Sequence, residues 1–191
     1  MKIGIDARFY GPLGKGLGRY TQKLIENLER IDSKNQYIIF LRKENWDFYR
    51  PKNPHFQKVL ADYPWYSVTE QIAMPYKISQ SKVNLMHFPH FNVPIFYGGK
   101  FVVTIHDLIL LQFPTIKATT LSRPMYSIKQ AGYKFVIRQA VRRAKKVITV
   151  SKYTKKELVR YFEIPSERIV VTYEACNGNQ QPQVTNQEIL K

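Results

Sequence analysis

Three glycines within five residues, Gly14, Gly16 and Gly18 in the run GKGLG, are the residues whose type and spacing first suggest chemistry. They follow the short apolar run KIGID (2–6) and precede Leu17, Tyr20, Leu24, Ile25 and Leu28 at helical period. Strand, glycine-rich turn and helix open a nucleotide-binding βαβ unit. Glycine lets backbone N–H groups come close to a ligand, and a helix start carries partial positive charge that favours phosphate. Gly14, Gly16, Leu17 and Gly18 are therefore the candidate phosphate-binding residues. The run is one residue short of the dinucleotide fingerprint, and the Walker A pattern is not met either. A plain flexible turn into a helix is the competing reading.

His106 and Asp107 follow the apolar run KFVVTI (100–105). A histidine at a strand end can polarise a hydroxyl, shuttle a proton or hold a sugar oxygen, and a neighbouring carboxylate can orient a substrate hydroxyl. Its structural alternative is a ring bonded to a nearby carbonyl. His90 and Asn92 follow another strand-like run, LMHF (85–88), and Ser151 and Lys152 follow VITV (147–150). Ser151 also fits a helix N-cap and lacks the Gly-x-Ser-x-Gly surroundings of a nucleophile. His87 and His90 are three apart, whereas a chelating pair on one strand needs even spacing, and no third ligand is evident. No metal is expected.

These residues need elements to position them. Tyr37–Leu41, 56–60, 84–88, 100–105, 147–150 and 168–173 read as strands, the continuous apolar ones as strands buried on both faces. Helices are expected from Leu17 onward, over 65–79 with an interruption or kink near Met74 imposed by Pro75, over 123–145, and over 152–162 after Ser151. In the 123–145 helix, Met125, Ile128, Phe135, Val136 and Ala140 are assigned to the buried side, and Lys134, Arg138 and Arg142 to a basic stripe. Residues 108–120 read as a long loop. Strands alternating with helices give a doubly wound, mostly parallel α/β sheet of Rossmann type with helices on both faces. Ligands bind such sheets at the carboxyl ends of the strands, and every candidate residue above falls at that edge.

With 191 residues, 44% hydrophobic and 14% aromatic, the chain is one globular domain with an extension. Residues 1–176 form the domain, and the Asn/Gln-rich stretch 177–191 reads as a linker. Cys176 stands alone, so no internal disulfide is possible and a reducing, cytoplasmic setting is expected. No run approaches the roughly 18 apolar residues of a membrane span. Thirty basic against fourteen acidic residues give a net charge of +16, a field that attracts anionic partners.

The residues that carry a family resemblance are IGIDARFY and GKGLGRY within 3–20, MHFPHFNVP (86–94), VVTIHDL (102–108), AKKVITVSKYTKKEL (144–158) and IPSERIVVTYEA (164–175). Their order and spacing resemble the N-terminal domain of the GT-B glycosyltransferases of family 4, retaining enzymes that include many bacterial mannosyl- and glucosyltransferases. The resemblance implies half of a GT-B fold, with the glycine run touching the diphosphate of a nucleotide-sugar. It implies His106 beside the transferred sugar as the catalytic residue, with Asp107 near it. It implies an acceptor, a glycan or a lipid-linked sugar, among residues such as His90, Asn92, Ser151 and Lys152. No cofactor or metal is implied, and nucleic acid is not an expected partner. The nucleotide pocket and a Glu-x7-Glu pair belong to a second domain that this sequence does not match, so the chain alone is expected to be incomplete and weakly active or inactive, completed in cis or in trans. Peripheral contact of the basic 123–145 helix with anionic membrane is a further expectation. Two rival readings stand beside it. One is a non-catalytic basic module for lipid or nucleic acid. The other is a dinucleotide oxidoreductase domain with Glu44 on the ribose.

Overall fold

The structure, a computed structural model, describes residues 1–113 and 123–175. Seven strands form one sheet in the order β3-β2-β1-β4-β5-β6-β7: β1 (Lys2–Asp6), β2 (Gln36–Leu41), β3 (Phe56–Leu60), β4 (Leu85–Phe88), β5 (Phe101–Ile105), β6 (Lys146–Thr149) and β7 (Ile169–Val171). Every neighbouring pair is parallel, so all carboxyl ends share one rim. The order reverses between β1 and β4, the place where open α/β sheets bind ligands.

Alternation along the strands sorts side chains to two faces. Ile5, Tyr37, Ile39 and Leu41 point to one side and meet Ile25 of α1 (Lys15–Ile31). Ile38, Phe40, Met86 and Val103 point to the other. There they meet Met74 and Ile78 of α2 (Val68–Gln80), and also α4 (Arg123–Arg143) and α5 (Lys152–Phe162). Helices thus lie on both faces. Beyond β4, however, no helix among the described residues covers the α1 side: Val102 and Ile148 are half-buried there and Val170 is 43% exposed. A hollow of about 1100 Å³ runs along the flank of α1 over this bare face.

Three expectations need correcting. Helix α2 runs without a break through Pro75, because the one backbone bond that proline removes is tolerated where the buried Met74 and Ile78 hold the helix on the sheet. Within 108–120, residues Ile109–Gln112 form a short helix, α3, rather than loop; 114–122 lie outside the described residues. On α4 the buried face is Ile137, Ala140 and Val141, with Ala140 as expected, while Met125, Ile128 and Phe135 are exposed. Several of the larger apolar residues are thus left on the outside. The predicted linker 177–191, and Cys176, also lie outside the described residues.

The glycines divide into two kinds. Gly14 caps α1, so Gly16 and Gly18 lie in the helix's first turn instead of a turn before it. A Cβ on Gly18 would stand 2.0 Å from Gly11 O and 2.5 Å from Phe9 O, and one on Gly14 would stand 2.0 Å from Phe9 O. These two glycines let α1 sit directly on the loop that leaves β1. Gly16 has nothing within 4 Å and faces open space. Gly18→Ala is therefore expected to cost about 2–3 kcal/mol by forcing backbone apart. Gly16→Ala, in a helix with room to spare, should gain roughly 0.5–1 kcal/mol. Urea unfolding of the two variants checks the contrast.

Candidate functional site

At the shared rim, β5 ends on Ile105 and presents His106. The ring is held on two sides: Nε2 lies 3.0 Å from Pro89 O, to which it donates, and Nδ1 lies 3.4 Å from Glu174 Oε1. Tyr20, one turn into α1 beyond Gly16, meets the imidazole edge-on at 4.7 Å. The Tyr20 hydroxyl is 3.2 Å from Thr104 Oγ1, which in turn is 2.9 Å from His87 Nε2. Gly16, Tyr20, His87 and Glu174 line one end of the hollow. Tyr20 therefore connects the hollow that Gly16 lines to the His106 ring. Among the described residues no group of three His, Cys, Asp or Glu is placed to hold a metal.

On the other side of His106 lies a second cavity of about 290 Å³, between α3, α4 and the ends of β4 and β5. Phe91, Ile105, Leu110 and Tyr133 give it apolar walls, and His90 and Asp107 give it polar edges. His106 lines this second cavity, and Tyr20, which lines the hollow, stands edge-on against its ring.

Beneath both runs a buried ionic cluster. Asp6 closes β1, and its carboxylate accepts from Arg8 Nε at 2.8 Å and from Nη2 at 2.7 Å. Arg8 Nη2 also reaches Glu70 Oε1 of α2 at 2.5 Å, and neither side chain has any exposed surface. Glu70 accepts further from Asn92 Nδ2 at 2.8 Å and from the Tyr66 amide at 2.7 Å. Burial opposes the Arg8 charge, but Asp6 and then Glu70 outweigh it and hold the guanidinium well above its ordinary pKa. Burial pushes Glu70 up, with Arg8 and Asn92 pulling against it. Three donors converge on this carboxylate, the arrangement that suits its ionised form.

Glycosyltransferase Family 4 matches residues 14–177, most of the chain and all of this rim beyond β1. The chain belongs to that family. The O-antigen chain mannosyltransferase RfbU of Salmonella typhimurium is 22% identical over 183 residues, 87% of this chain and 47% of that protein. The chain thus spans about half the length of that relative. Among solved structures, the wall teichoic acid polymerase TagF superposes with a TM-score of 0.56 at 14% identity, over 90% of this chain and 38% of TagF. The H444N variant of TagF gives 0.54 at 14% identity, over 91% and 38%. At that identity the likeness speaks for the fold alone: a Rossmann-like parallel α/β sheet similar to that of a GT-B glycosyltransferase.

At the rim, the residues singled out from the sequence take different places. Gly16 opens on the cleft, Gly14 and Gly18 serve packing, and Leu17 is half-buried and passes its carbonyl to Thr21 Oγ1 at 2.9 Å. Asp107 does not pair with His106; its Oδ1 accepts from the Ile109 amide at 3.0 Å and starts α3. Asn92 is buried against Glu70. Ser151 caps α5, accepting from Thr154 N at 3.0 Å, and Thr154 Oγ1 donates to His106 O at 3.3 Å. That cap therefore fixes the backbone of His106. Lys152 is exposed beside it. His90 packs against Phe91 at 4.0 Å and Phe9 at 5.3 Å, and burial, followed by the nearby His106, lowers its pKa to about 4. Glu44 is paired with Arg42 at 3.0 Å.

Sequence reading missed Arg8, Glu70, Tyr20, Tyr66 and Glu174. Ser67-x-x-Glu70 carries a capping-box signature, and Ser67 does accept from Glu70 N at 3.1 Å. That signature accounts for Glu70 locally and hides its bond to Arg8. Tyr20 sat in the helical pattern of α1 as one more apolar position.

Proposed function

We propose that this chain is the acceptor-side half of a retaining hexosyltransferase, which moves a sugar from a nucleotide-sugar to a glycan or lipid-linked acceptor. The observation that supports it most is Tyr20, which lines the hollow together with Gly16 and meets the His106 ring edge-on at 4.7 Å. As the sugar leaves, negative charge grows on the diphosphate. Backbone N–H groups of the first turn of α1 are oriented to stabilise it, with no need of a metal. His106 then stands beside the sugar, its ring held by Pro89 O and Glu174.

The bare face of the sheet supports a second unit in cis or in trans. A parallel sheet is stable when both faces are covered, and Val102, Ile148 and Val170 await a cover. That unit would bring the nucleoside pocket. Titration of the 191-residue chain with nucleoside diphosphates should accordingly show weak binding that depends on the diphosphate and little on the base. Efficient sugar transfer by this chain alone would defeat the proposal. In the assembled enzyme, His106→Ala should lower turnover roughly 10- to 100-fold while weakening nucleotide binding less. Unchanged turnover removes His106 from the chemistry.

Peripheral contact with anionic membrane, on its cytoplasmic face, belongs to the same reading. No described helix is long and apolar enough to cross a membrane. Along α4, Met125, Ile128 and Phe135 are exposed, and so are Lys134, Arg138 and Arg142. Exposed apolar groups beside cations, on a chain of +16, suit an anionic interface. The chain should float with vesicles rich in phosphatidylglycerol and not with phosphatidylcholine alone. Equal behaviour on both discards the contact.

A further inference from the structure

We propose that the outer face of α2 pairs with the same face of a second copy of this chain, in an antiparallel helix contact centred on Ile72. This contact lies on the sheet face opposite α1 and does not depend on the transfer reading.

The residues of α2 divide by their angle around the helix. Glu70, Met74 and Ile78 are buried against the sheet. At about 100° per residue the opposite side holds Val68, Thr69, Ile72, Tyr76, Ser79 and Gln80, and all six are exposed. Val68 is 80% exposed, Ile72 63% and Tyr76 65%. These three recur at every fourth residue, so they form one apolar stripe down the helix. Ile95 N donates to Gln71 Oε1 at 2.7 Å, which ties the loop of Phe96, itself 72% exposed, to the same helix.

Charge indicates what covers this stripe. The chain carries +16, and the other long helices display it: Arg19 and Arg30 on α1, Lys134 and Arg138 on α4, and Lys156 and Arg160 on α5 are all exposed. The outer face of α2 holds no charged residue; the two in this helix are Glu70, which is buried, and Lys77, which is half-buried. Two such chains repel wherever their cations meet. Among the described long helices, α2 is the one on which they can come together without opposing like charges. An anionic membrane selects apolar groups flanked by lysine and arginine, which this face lacks. The second unit proposed over the bare part of the sheet would lie on the α1 side, across the sheet from α2.

Shape and area suit self-pairing. The 13 residues of α2 make a helix about 20 Å long, with Ile72 midway along the stripe. A two-fold axis at Ile72 runs two copies antiparallel and sets Ile72 against Ile72 of the second copy. Val68, the smallest of the three, then faces the broad ring of Tyr76 of the second copy. One patch serves both partners, as an isologous contact requires. Val68, Ile72, Tyr76 and Phe96 together offer on the order of 500 Å² of surface per copy. A pair then buries about 1,000 Å², the lower end of specific interfaces, which suits a reversible dimer.

The test is sedimentation velocity of the 191-residue chain from roughly 2 to 200 μM, at about 0.1 and 0.5 M salt. Dimer should accumulate with a dissociation constant of about 10–100 μM. Salt should tighten it severalfold, because it screens the repulsion between two chains of +16. Ile72→Asp sets two carboxylates against each other on the axis and should weaken the dimer at least about tenfold. Ile72 lies on the surface, so this change should move the melting temperature by no more than about 2 °C. Tyr76→Glu is a second variant with the same expectation, and Lys156→Glu on α5 is the control that should not weaken the dimer. The proposal is overturned if the chain stays monomeric throughout in both salts, if both α2 variants dimerise like the parent, or if added salt weakens association. It is also overturned if a monomeric chain binds phosphatidylcholine vesicles and Ile72→Asp abolishes that binding, since the stripe would then serve a lipid surface.

Discussion

Glu70→Ala is expected to destabilise the fold by about 3–5 kcal/mol, more than any other single substitution at the rim. Glu70 and Arg8 are both without exposed surface, and their contact of 2.5 Å lies under three loops. Removing the carboxylate leaves Arg8 with Asp6 alone, and strands the Asn92 amide and the Tyr66 N–H without their acceptor. Each orphaned buried donor adds about 1–3 kcal/mol, although the chain can relax or admit water to recover part of this. Surface pairs make the useful contrast. Lys23 and Glu26 meet at 2.7 Å but are 42% and 39% exposed, so Glu26→Ala should change stability by less than about 1 kcal/mol. Urea unfolding of both variants decides the matter. A Glu70→Ala loss no larger than that of Glu26→Ala would mean that the cluster is not what holds the rim.

Acid should unfold this protein earlier than its carboxylates alone require. His87 is buried at the end of the sheet and His90 under an aromatic lid, and burial first, then nearby His106, lowers each to about pKa 4. An unfolded histidine titrates near 6.5. The unfolded chain therefore binds protons that the folded chain refuses. Stability is complete above about pH 6.5, falls as the pH drops from there toward 4, and levels off below for these two groups. The shift at His87 corresponds to about 3 kcal/mol, and less at His90, which is partly open to the cavity. Chemical denaturation between pH 7 and 4.5 should show this slope, reaching up to about 2.7 kcal/mol per pH unit if both take part. His87→Gln retains a partner for Thr104 and removes one proton, so its slope should be about half as steep. A flat profile from pH 7 to 5 would show that neither ring is excluded from protonation.

The strands were legible in the sequence because parallel strands buried on both faces are runs of apolar residues, and VVTI or YIIFL leave little else to be. Their sharing of one rim followed from that alternation. The buried face of α4 was not legible. Its large apolar residues Met125, Ile128 and Phe135 lie outside and one of its core contacts is an alanine, so a reading by hydrophobicity selects the wrong side. The glycine run was legible as a special turn but not as two packing glycines and one open one, since that depends on which carbonyls of 9–11 lie against the helix. His106 was legible from its place at a strand end. Its partner was not: Asp107 is adjacent in sequence, yet a strand end sends neighbours in opposite directions, and the carboxylate that reaches the ring comes from Glu174. Tyr66 carried no signal at all, because its backbone is set by a bond from a residue four positions on.

β7 is one of the two edge strands, and the polypeptide leaving it passes Thr172 along β6 before Glu174 touches His106. A pivot at that point sits at the mouth of the cleft rather than behind the sheet. A small swing of the chain there would withdraw or return one carboxylate at the imidazole, within a single residue's reach of Thr172.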